Sequence, residues 1–252
     1  MTIDLDLYFI PRMTELTKNH KTKFFLVIGL IGLFAVLTGF STTFLLPIGK
    51  GTFKAPLIIY IHGAFAFSWI CLFIIQSLLI QNNNVRRHRH LGILEVVIAI
   101  GITVTLIPVG LYQIEKELDQ GFGQTAISLI IGTLTSAIIF ISIVVIGILK
   151  RHEPATHKRL MLLATIVLLW PAWFRFRHIF PSIPNPEIWF AIVLADSLII
   201  ISIIWDKITY GKFNPTLLYI GLLIIIDHAV ETYMFDNTLW RELAIRVYGL
   251  LT

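Results

Sequence analysis

Charge is scarce in this chain. Asp, Glu, Lys and Arg make up 14% of its 252 residues, where soluble domains carry about 25%. Cysteine is scarcer still. Cys71 stands alone, which excludes a disulfide within the chain and any cluster held by several thiolates. There is no Walker motif, no dinucleotide fingerprint, no nucleophile elbow and no His-Glu-x-x-His element. The last long apolar run holds no lysine, so a retinal Schiff base cannot form there. What is abundant is apolar surface: 56% of the residues are hydrophobic and the mean hydropathy is +0.83. One water-facing core of this size cannot hide that much, so the natural solvent is lipid.

After a polar lead-in over residues 1–23, with no cleavable signal pattern, apolar runs follow at 24–46, 56–80, 91–111, 126–149, 160–180, 188–205 and 217–234. Each is near the ~20 residues that cross ~30 Å of hydrocarbon. The expected architecture is all-α: a seven-helix transmembrane bundle over 24–234, closed by a short interfacial helix within 235–252. The basic residues give its direction. Arg12, Lys18, Lys21, Lys23, Arg86, Arg87, Arg89, Lys150, Arg151, Lys158, Arg159, Lys207 and Lys212 lie on one side, thirteen in all. Lys50, Lys54, Lys116, Arg175, Arg177, Arg241 and Arg246 lie on the other, seven in all. The thirteen-base side is expected in the cytoplasm, with the N-terminus in and the C-terminus out. Net charge is +5. Its placement beside apolar runs points to lipid headgroups as partners and away from nucleic acid.

Ionisable groups within hydrocarbon are costly and are functional candidates. Counting ~1.5 Å per residue puts His62 and His228 about 9 Å deep from the outer side and Asp196 about 12 Å deep. Asp227 adjoins His228, Glu231 lies one turn further out, and Arg175 and His178 end the fifth run. Three readings of this level stay open. Haem iron could take two histidines as axial ligands. A zinc or iron ion could take His62, His228 and a carboxylate, Asp196 or Asp227, with His178 in reserve. A polar network could pair Asp196 or Asp227 with Arg175 or Arg177. His62, Trp69 and Gln76 recur every seven residues and share a helix face, which could line a cofactor slot or form a packing face.

At the other end, His88-Arg89-His90 precedes the third run and His157-Lys158-Arg159 the fifth, 69 residues apart. Bases at a helix start suit an anion, a lipid phosphate above all; the alternative is the ordinary positive-inside bias. Glu95 is a candidate counter-charge to Arg89 or His90. Trp170-Pro171-Ala172-Trp173 reads as a kink flanked by interfacial aromatics.

These strings carry a resemblance. Pro47, Gly51, Phe53, Ala55 and Pro56 are followed by His62-Gly63, Trp69 and Gln76. Then come His88-Arg89-His90-Leu91-Gly92, His157-Lys158-Arg159-Leu160-Met161 with Ala164-Thr165, and Asp206 before Gly211-Lys212-Phe213-Asn214-Pro215. Over residues 45–216 the chain resembles an uncharacterised group of bacterial multi-pass inner-membrane proteins. Its His-Arg-x-Leu-Gly element is similar to one in small membrane proteins of haem-copper oxidase maturation and, more loosely, to transmembrane b-type cytochromes. The resemblance implies the bacterial inner membrane, haem b and respiratory-chain partners. The departure is that histidines 88, 90 and 157 are expected in loops, not inside helices. The leading functional expectation is redox or haem handling. A metal-dependent intramembrane hydrolase and a non-catalytic transporter or accessory protein are the alternatives.

Overall fold

The computed structural model describes residues 6–252, and for 6–22 the backbone alone; side chains of the polar lead-in before Lys23 therefore lie outside the described residues. The chain is all-α. Helix α1 is Asp6–Gly39, α2 Leu57–Gln81, α3 Val85–Asp119, α4 Leu129–Leu149 and α5 Pro154–Phe174. Helix α6 runs through π-helical turns at Glu187–Leu194 into Ala195–Tyr210, α7 is Pro215–Met234 and α8 is Thr238–Leu251. Six helical segments are long and apolar enough to cross a membrane, and there are seven if Lys23–Gly39 and Ser41–Gly49, which meet at a 47° bend, count as one span. Large apolar side chains face outward along them, Phe34, Val104, Ile138 and Ile208 among the most exposed. In water such a surface would drive aggregation; in lipid it is the solvent-matched face. This is a multi-pass integral membrane protein.

The helices begin where the chain supplies a cap. Asn84, Asn214 and Asn237 each accept a backbone N–H from the first turn of α3, α7 and α8. Pro154 and Pro215 occupy first-turn positions, where their missing N–H is not needed. This corrects the expected start of the third and fifth helices. Both begin earlier than their apolar runs, so His88, His90 and His157 are helical residues, not loop residues.

Helix α5 is the axis of the bundle. It packs on α1, α2, α4, α6 and α7. In its most apolar window 72% of residues are buried, against 22% for α2, α3 and α7. Gly39 lets α1 close on it: a Cβ there would run into the carbonyl oxygen of Ala172. Helix α8 folds back on α4 and the short Gln124–Ile127 helix around Ile114, Ala126, Ile130 and Ala244. Asp236 fastens this corner. It accepts from Thr125 and Ser128, each at 2.7 Å, and from Arg241 at 2.8 and 2.5 Å. The Arg241 guanidinium, with those hydroxyls, holds the Asp236 carboxyl well below the usual carboxylate range.

Candidate functional site

Four histidines on four helices are tethered in the same way. His62 on α2 has Nδ1 2.8 Å from the Thr105 hydroxyl of α3. That hydroxyl gives its own proton to the Gly101 carbonyl at 2.6 Å, so it accepts from His62. His88 on α3 has Nδ1 2.7 Å from Oε1 of Gln76, whose amide nitrogen donates to the His88 carbonyl and to Glu95. His157 on α5 gives its Nδ1 proton to the Gly147 carbonyl at 2.8 Å. His228 on α7 does the same with an Asp196 oxygen of α6 at 2.7 Å. In each neutral ring the proton is therefore on Nδ1 and the Nε2 lone pair is left uncommitted. A ring held this way is oriented as a ligand or a proton acceptor.

The tethered histidines form two levels. At the base-rich end, the rings of His88 and His157 meet edge to face, with centroids 6.3 Å apart and planes at 74°. At the opposite end, His62 and His228 belong to separate constellations. His62 is bonded to Thr105, while His228 is buried with Asp196, and the Trp170 ring lies 6.2 Å from it. Among the described residues no three His, Cys, Asp or Glu side chains converge on one metal position. The expected ion site of His62, His228, Asp196 and Asp227 is thus not assembled. His62 is tied to α3 and His228 to α6, so the two are not brought to one ion. Asp227 is half-buried beside His228, and His178 is exposed past the end of α5, so neither joins the pair.

Nor does an arginine neutralise Asp196. Arg175 lies over the Phe40 ring at 4.2 Å and donates to the Pro171 carbonyl; Arg177 lies over Phe174 at 3.7 Å. Both charges are spent on aromatic faces and helix-end carbonyls. Glu231 is bonded to the Thr135 hydroxyl of α4.

The stripe of His62, Trp69 and Gln76 does share a face, and each member meets a protein partner. Trp69 is fully buried, donates to the Thr165 hydroxyl at 3.1 Å and packs against Phe140. The stripe joins α2 to α3 and α5 and leaves no slot at Trp69. Glu95 is bonded to Gln76, not to Arg89 or His90 as expected.

The expected anion site divides. Arg89 and His90 are exposed, the latter donating to the Arg86 carbonyl. Lys158 donates to Tyr210 and lies over Phe25. Arg159 is only 4% exposed and forms a two-pronged ion pair with Asp206, at 3.0 and 2.5 Å, while donating to the Ala155 carbonyl. Its charge is neutralised inside the protein and is not offered to a lipid phosphate. Sequence reasoning missed this pair, although Arg159 directly abuts the fifth apolar run and Asp206 the sixth at that end.

Among the described residues four buried polar atoms have no partner: Oδ2 of Asp196, the indole nitrogens of Trp170 and Trp173, and the Thr43 hydroxyl. No family model, curated protein or solved structure matches the chain.

Proposed function

We propose that this is a redox or haem-handling protein of the bacterial inner membrane, N-terminus in and C-terminus out, whose iron ligands are His88 and His157. The observation that carries the reading is the meeting of two Nδ1-tethered imidazoles from α3 and α5 at a ring separation of 6.3 Å. His88, oriented by Gln76, and His157, oriented by the Gly147 carbonyl, are the neutral imidazoles that would hold the iron of haem b. When bound, haem would supply one-electron transfer. A bare zinc or iron ion is less well served, because no third ligand converges among the described residues. A metal-dependent hydrolase loses its ligand set for the same reason. The basic asymmetry, thirteen against seven, supports placing the His88–His157 level on the cytoplasmic side.

The test is an absorption spectrum. Protein purified from a haem-replete host should show a Soret band that shifts on dithionite reduction. His88→Ala and His157→Ala should each abolish it, whereas His62→Ala and His178→Ala should leave it intact. Colourless, metal-free wild-type protein would sink the reading and leave the transporter or accessory role.

A further inference from the structure

The opposite end of the bundle is built differently, and it goes beyond the haem reading. Asp196 is 2% exposed, yet only Oδ1 is used, by His228. Its Oδ2 is buried without a partner, and so is the indole nitrogen of Trp170, whose ring borders His228. Trp173, three residues on along α5, also has an unbonded indole N–H. A native interior seldom leaves buried polar atoms idle, and both Asp196 and Trp170 contact His228. The backbone is disturbed here too. Asp196 follows directly on the π-helical turns of α6, and Trp170 precedes Pro171 inside α5. Widened turns of this kind recur at functional sites.

The unmet atoms define a ligand. Asp196 Oδ2 and His228 Nε2 accept, and the indoles donate. A hydroxyl group answers both, giving its proton to the carboxylate or imidazole and accepting from an indole N–H. The surroundings are aromatic: Trp170 packs on Phe174 at 5.1 Å and Trp173 on Phe176 at 5.2 Å. A flat ring fits such walls through stacked or edge contacts. The site lies within hydrocarbon, so its ligand arrives from the lipid phase and is neutral.

We infer that Asp196, His228 and Trp170 form a binding site for the head group of a hydroxylated aromatic amphiphile of the quinol type.

The experiment is equilibrium binding of tetramethylhydroquinone to the full-length protein in detergent, with tetramethylbenzene as the hydroxyl-free control. Wild type should bind the hydroquinone at least tenfold more tightly than the control. Asp196→Asn and His228→Ala should each remove most of that preference. Trp170→Phe keeps the ring and loses only the N–H, so it should weaken hydroquinone binding severalfold and leave the control unchanged. This last variant decides the matter should either of the others fail to fold. Equal binding of hydroquinone and control, no binding at all, as expected if the idle atoms hold only water, or tighter binding of an alkylammonium of similar size would each overturn the inference. Binding is read on the protein as purified and again on His88→Ala, which should bind the hydroquinone as wild type does, so the outcome is separable from that of the haem reading.

Discussion

At the base-rich end, Arg159 and Asp206 exchange two hydrogen bonds, a third ties Arg159 to a carbonyl, and no oxygen of Asp206 is idle. At the opposite end, Asp196 is as deeply buried but spends one oxygen on His228 and leaves the other unmatched. Burial alone therefore does not distinguish a structural charge from a functional one. Completeness of partnering does. A closed ion pair holds α5 to α6; the Asp196–His228 hydrogen bond leaves one carboxylate oxygen open.

The largest test of that contrast is on the closed pair. Arg159→Ala should strand Asp206 inside the bundle and cost about 3–5 kcal/mol of stability, with Asp206→Ala equally damaging. Thermal unfolding in detergent reads both, and replacing the two together by Met and Leu should recover most of the loss. Next comes Gly39→Ala, which pushes α1 away from the Ala172 carbonyl and should cost about 1–3 kcal/mol through overpacking. A melting temperature equal to wild type would show that the helices part freely there. Smaller again is Asp196→Asn. Since half of this carboxylate already lacks a partner, the substitution should change stability by no more than about 1 kcal/mol. A loss as large as that of Asp206→Ala would erase the distinction between the two ends. The smallest effect is at the α8 corner. The depressed Asp236 group contributes stability above its ordinary pKa of about 3.9, and that contribution fades as pH falls below it. Trp240 fluorescence should report loosening of α8 only on acidification past pH ~4; Asp236→Asn should remove the pH dependence.

Much of the fold was legible, because hydropathy reads the solvent. All seven apolar runs became helices and the tail formed α8. The helix starts at Val85 and Pro154 were not, since a turn standing beyond the hydrocarbon is polar and looks like loop. Counting depth rightly put Asp196 and His228 on one level, and they bond. It wrongly added His62 to their company and Arg175 to their neutralisation. Depth is one coordinate, and the direction in which a side chain leaves its helix is another that no single sequence displays. The partners that decide function were the quietest residues: Thr105, Thr165, Gln76 and a lone tryptophan before a proline.

The central place of α5 also has a consequence for how the protein is made. It is the least apolar of the six spans, at a mean hydropathy of 1.4 against 2.7 for the segment before it, and it carries Arg159 towards one end. Yet it is the helix most fully enclosed by its neighbours. A nascent chain cannot offer that enclosure at once, because α6, which bears Asp206, and α7 follow it in the sequence. Helix α5 must wait in the bilayer with its arginine unmatched until α6 emerges. Biogenesis is therefore most exposed to failure between the fifth and sixth spans, and Asp206 is the residue whose arrival ends that interval.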